Sequence, residues 1–116
     1  MVYCAELGMI NHPDHRAAGQ AVLDAVYPLA RDHLSFPELN LEPHKVATML
    51  LVNFNQNNFY LDITKTLEAK NASLTAHASQ YPDLPYIIRK VASIAKAAGR
   101  EAKCRYAEAY MKIDII

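Results

Sequence analysis

Apolar residues recur at helical spacing in three stretches of this chain and run without alternation in a fourth. Ala18, Ala21, Val22, Ala25 and Leu29 fall at three- and four-residue steps, which predicts an amphipathic helix. Asn11-His12-Pro13-Asp14 opens it: Pro suits the first helical position, Asn or His can cap before it, and Asp favours the first turn. Pro28 kinks or ends it. Ile63, Leu67, Leu74 and Ala78 mark a second helix, opened by Asp62 or Thr64 and running to about Ser79, where Tyr81-Pro82-Asp83 breaks it. Leu84, Ile87, Ile88, Val91, Ala95 and Ala98 form the buried stripe of a third, starting near Pro85 with Gly99 as its C-terminal stop.

The fourth stretch, Val46 to Val52, reads V-A-T-M-L-L-V. Nearly continuous apolar residues suit a strand covered on both faces, as in a parallel sheet. Asn53, Asn55, Asn57 and Asn58 mark a turn, and Phe59-Tyr60-Leu61 a short second strand. The tail from Tyr106 to Ile116 is a last strand or an irregular arm. With no repeat, low-complexity run or linker, residues 1–116 read as one unit of the α/β class. The expected architecture is a small, mainly parallel sheet with about three helices, and two or three strands are few for a sheet buried on both faces.

Composition narrows the function classes. Lys plus Arg and Asp plus Glu each number 12, and this zero formal charge argues against an electrostatic nucleic-acid binder. At 52% hydrophobic residues the chain is too apolar to be disordered. No stretch approaches the ~18 consecutive apolar residues of a membrane span, and Met1 to Ile10 lacks the basic start and apolar core of a signal peptide. Cys4 and Cys104 are far apart and form neither a disulfide framework nor a zinc knuckle, which sets a reducing, cytoplasmic location as the expectation.

One constellation stands out for chemistry: His12-Pro13-Asp14-His15. Histidines at i and i+3 project from neighbouring positions on one side of a helix start. The helix N-terminus disfavours imidazolium, and neutral imidazole is a zinc ligand. The same spacing also describes a polar cap with two surface histidines. Asp62 reads first as an N-cap, and His77 as either a substrate-side group or an exposed histidine late in a helix. His44 follows Pro43 in a loop and suggests nothing specific. Lys96, Arg100, Lys103 and Arg105, interrupted by Glu101, read as a solvated face, and Tyr106 and Tyr110 as packing residues.

Taken together in order, these segments resemble the LmbE-like, or PIG-L, zinc deacetylases. Asn11-His12-Pro13-Asp14-His15-Arg16-Ala17-Ala18-Gly19 resembles the family's H-P-D-H-R-A segment. Asp24 to Arg31 resembles its following helix, and Leu41 to Val46 the approach to its next strand. Asn58 to Thr64 resembles a strand ending in D-I-T, and Lys70, Leu74 and Ala76-His77-Ala78-Ser79-Gln80 a K…L…H-x-S-Q helix. Tyr106-Ala107-Glu108-Ala109-Tyr110 resembles the closing A-E-x-F.

The resemblance implies a Rossmann-like fold, here partial, and hydrolysis of an N-acetyl group on a glucosamine-type substrate. It implies zinc as cofactor, His15 as a metal ligand, His12 as the group that protonates the leaving amine or stabilises the oxyanion, and Asp14 as a catalytic residue beside it. Zinc polarises the amide carbonyl and activates water while an imidazole serves the developing charges. The family's A-H-P-D-D motif, source of the other ligands and of the general base, has no counterpart here. The chain therefore resembles the C-terminal half of such an enzyme. The expectation is a truncated or split deacetylase, inactive alone, which works as a homo-oligomer or with a chain supplying the other half. Two alternatives stand beside it. One is an assembly that rebuilds the metal site, with Asp14 or Asp62 as new ligands. The other is a non-catalytic α/β scaffold or interaction module that acts as an oligomer.

Overall fold

The computed structural model describes residues 12–52 and 56–115. The readings at Met1 to Asn11 (Cys4 among them), at Asn53 and Asn55, and at Ile116 lie outside these residues. The chain divides into two compact units, one of residues 1–55 with 111–116, the other of residues 56–110.

In the second unit, β2 (Phe59–Asp62) leads through a turn into α2 (Leu67–Thr75), and α3 (Leu84–Glu101) follows. Asp62 Oδ1 accepts the amide of Thr64 at 2.8 Å, so this carboxylate closes the turn. The helix itself starts later, at Leu67 after Thr66, and ends at Thr75 rather than near Ser79, with a separate 3-10 turn at Ala78–Gln80. Asp83 caps α3, accepting the Tyr86 amide at 2.8 Å, and Pro85 sits in the first turn. The stripe read from the sequence is the covered face of α3: Ala95 is buried and Leu84, Ile87, Ile88, Val91 and Ala98 are half-buried. The helix packs on α2 and β2. The core consists of Ile63, Ala95 and Ala107, with Gly99 beside them.

Gly99 is not the stop. The helix runs to Glu101 and ends on Lys103, whose φ of 55° puts it in the left-handed region. The amide of Cys104 reaches the Gly99 carbonyl at 2.9 Å and that of Lys103 the Arg100 carbonyl at 3.4 Å, the paired bonds of a Schellman motif. Gly99 is needed inside the helix because the chain folds back over it: a Cβ there would lie 2.8 Å from the backbone oxygens of both Cys104 and Arg105.

In the first unit, α1 (Pro13–Val26) is followed by 3-10 turns at Leu29–Arg31 and Pro37–Leu39 and by β1 (Thr48–Leu51). Its helix ends at Val26, two residues before Pro28. None of its described residues is buried, and the expected core stripe of α1, Ala18, Ala21, Val22 and Ala25, is exposed.

The tail is a strand, β3 (Ala107–Asp114), and it corrects the expected sheet. Its first half pairs antiparallel with β2, Phe59 opposite Tyr110 and Asp62 opposite Ala107. Its second half pairs antiparallel with β1, Thr48 opposite Asp114 and Leu51 opposite Met111. Among the described residues the strand order is β1-β3-β2, and they form a mixed α/β arrangement of three α-helices and a small antiparallel sheet, not the expected mainly parallel Rossmann-like one. The apolar run misled because β1 alternates: Met49 and Leu51 are half-buried while Leu50 stands exposed. An apolar outer face does not require a second cover within the same chain.

Candidate functional site

The first turn of α1 gathers the H-P-D-H residues. His12 is its N-cap, and Nδ1 of the ring accepts the Asp14 amide at 3.2 Å. An imidazole that accepts at Nδ1 carries its proton on Nε2, which leaves that nitrogen as a donor. Asp14 Oδ2 lies 3.5 Å from the same Nδ1. The rings of His12 and His15 are 6.0 Å apart and inclined at 55°. Asp14, at 85% side-chain exposure, and His12, at 63%, face solvent.

The other sequence candidates fall elsewhere. Asp62 and His77 belong to the second unit. Hydrogen bonds from the Thr64 hydroxyl and amide, and then from Cys104, hold the Asp62 carboxyl below its usual range, while desolvation followed by the nearby Asp62 charge pushes the Cys104 thiol up. Asp62 is thus committed to a turn. His77 is exposed beyond the end of α2 and makes no capping bond. His44 lines a cavity of about 260 Å³ with Asp32, Leu29, Phe36, Leu39 and Leu41. Its amide donates to the Ala30 carbonyl at 2.7 Å.

A polar cluster went unread in the sequence. Glu108 accepts from both Lys70 Nζ on α2 and the Tyr110 hydroxyl. The Lys70 and Tyr110 bonds hold the Glu108 carboxyl low, and desolvation with the Glu108 charge pushes Tyr110 up to about 12. Residues i and i+2 on a strand share a face, so the Glu108–Tyr110 pair was findable once the tail was known to be a strand. The lysine, 38 positions earlier, was not.

A catalytic zinc takes about three protein ligands with a water in the fourth place. Among the described residues, no group of three or more His, Cys, Asp or Glu side chains is placed to hold a metal ion. His12, Asp14 and His15 supply the right donor types without completing the set, so the described residues do not by themselves fit a zinc.

Comparison with known proteins places this geometry. The diacetylchitobiose deacetylase of Thermococcus kodakarensis is 30% identical over 106 residues, a span of 84% of this chain and 38% of that protein. The chain is distantly homologous to diacetylchitobiose deacetylase, an LmbE-like protein. The solved N,N'-diacetylchitobiose deacetylase of Pyrococcus horikoshii, in complex with its inhibitor MPG, agrees in three dimensions. It superposes with a TM-score of 0.74 at 27% identity, over 93% of this chain and 42% of that one. The chain thus spans about two fifths of the length of these deacetylases. No family model matches the sequence. Among the described residues, no helix is long and apolar enough to cross a membrane.

Proposed function

We propose that this chain is one part of an LmbE-like, zinc-dependent deacetylase that hydrolyses N-acetyl groups on glucosamine-type sugars, and that it is inactive alone. The observation that carries this reading is the likeness to diacetylchitobiose deacetylases over nearly the whole chain but only about two fifths of theirs. In this reading residues 1–116 correspond to the C-terminal half of the enzyme domain. His15 contributes one metal ligand and His12, with its proton on Nε2, a hydrogen-bond donor to the developing charges; Asp14 fixes the His12 ring through its amide. The remaining ligands and the general base come from the part of the deacetylase fold that residues 1–116 do not match.

Zinc content and hydrolysis of N-acetylated glucosamine compounds, measured on the purified chain alone, test the proposal. The expected result is well under one zinc per chain after dialysis and no hydrolysis. Stoichiometric zinc that is lost in His15→Ala, together with turnover, would show a rebuilt site and overturn the claim of inactivity. The reading as a deacetylase part fails if the chain, joined to the unmatched region of the Thermococcus deacetylase, yields a folded protein with neither zinc nor activity.

A further inference from the structure

We propose, from the second unit alone and independently of the deacetylase reading, that the exposed face of α3 binds an anionic lipid surface without entering it as a span. The zero formal charge of the chain hides two unlike parts. Residues 56–110 hold eight Lys and Arg against five Asp and Glu, and the remaining residues four against seven. Most of the basic residues of this unit lie on or just after one helix. From Leu84 to Arg105 there are six of them and a single acidic residue, Glu101.

Helical geometry sorts these cations onto one line. At about 100° per residue, Arg89, Lys96 and Arg100 fall within about 40° of one another and span about 16 Å along the axis. They lie on the side turned away from the buried stripe, and all three are exposed, as is Lys90. Among the described residues none of these four has an ion-pair partner. A helix face that serves only solubility gains from opposite charges four residues apart, whereas Lys96 and Arg100 set like charges at that spacing and weaken the helix slightly. Lys103 and Arg105, both exposed, carry the positive charge past the helix end.

Shape and neighbouring side chains choose the partner. The outer face of a single helix is convex and has no cleft to enclose a small anion, so its partner is broad. Tyr86, 50% exposed, Lys90, and Ile94, 61% exposed, follow one another at four-residue steps beside the basic line. A nucleic-acid backbone would satisfy the cations and leave Tyr86 and Ile94 in water. The boundary of an anionic bilayer takes both kinds of side chain, lipid phosphates and carboxylates meeting Arg and Lys while the aromatic and aliphatic groups reach the top of the acyl region. A cluster of this size on one helix is of the order that anionic lipid recognition requires.

The test sediments the full chain with vesicles of phosphatidylcholine alone and with vesicles containing about 30% phosphatidylserine. Binding to the anionic vesicles is expected to be at least about tenfold stronger, and to fall by about tenfold or more as salt rises from about 0.05 M to about 0.5 M. Each basic side chain at an anionic surface contributes about fivefold. The combined variant Arg89→Gln, Lys96→Gln, Arg100→Gln should therefore bind about a hundredfold more weakly, with the helical circular dichroism unchanged. Tyr86→Ala with Ile94→Ala should weaken binding about fivefold or more while the salt response stays. Equal binding to the two kinds of vesicle, or undiminished binding by either folded variant, would overturn the proposal. So would tighter binding, at the same salt, to a DNA duplex of about two helical turns, which would assign the face to nucleic acid instead. Should a variant lose its helical signal, the vesicle comparison and the salt series on the unaltered chain decide the matter.

Discussion

The carbonyl of Gly99 accepts the amide of Cys104 at 2.9 Å, and the carbonyl of Cys104 lies 2.8 Å from where a Gly99 Cβ would stand. The turn after α3 is thus pressed onto the helix it has just left. Both clashing atoms are backbone, so a methyl group cannot be relieved by a rotamer change. Gly99→Ala is expected to destabilise the protein by about 1–3 kcal/mol, despite the better helix propensity of Ala. Urea unfolding followed by circular dichroism measures this, and an unchanged midpoint would refute the close approach.

Lys103 occupies the left-handed position of the same motif, where glycine is at ease and a Cβ is not. Lys103→Gly is expected to raise stability by about 0.5–1 kcal/mol, after the greater freedom of glycine in the unfolded chain is discounted. Thermal melts of the two variants should therefore move in opposite directions, although Ala is the helix former and Gly the breaker.

The Lys70–Glu108–Tyr110 cluster links α2 to β3 and should show in the pH dependence. Glu108 is held low, so its contribution is present above the ordinary glutamate range and lost as pH falls through the lowered value. Tyr110 is raised from 10.0 to about 12, so its contribution is complete below 10 and lost as pH rises toward 12. In Glu108→Gln the acid-side loss should diminish, neutral-pH stability fall by about 1–2 kcal/mol, and Tyr110 titrate closer to 10. Carbon NMR of the tyrosine rings reads the last point directly; an unmoved Tyr110 would disconnect it from Glu108.

His12 and His15 should separate by role. His12 caps α1 through Nδ1, so His12→Ala is expected to cost about 1 kcal/mol, with His12→Asn restoring most of it because an Asn oxygen can accept the same amide. His15 does not occupy the N-cap position, so His15→Ala should cost less than His12→Ala, a difference that thermal melts read out. Equal losses in the two variants would contradict the capping geometry.

What the sequence by itself determined is local. Pro85 and the stripe from Leu84 to Ala98 defined α3, because a first-turn proline and a 3.6-residue period are settled within a few neighbours, whereas the Asp83 cap emerged only in the structure. The His12–Pro13–Asp14 start of α1 was legible for the same reason, and so was the likeness to LmbE-like deacetylases that its motif carried. The end of α3 was not, because Gly99 answers to the chain returning over it and not to the helix. The sheet was tertiary throughout. Thr48 meets Asp114 across 66 positions, and no local pattern shows whether an apolar run such as Val46 to Val52 is covered on one face or two. Nor could periodicity reveal that the Ala18-Val22 face of α1 is uncovered, since a stripe states only which side avoids water and the partner that hides it is a matter of what else is folded nearby.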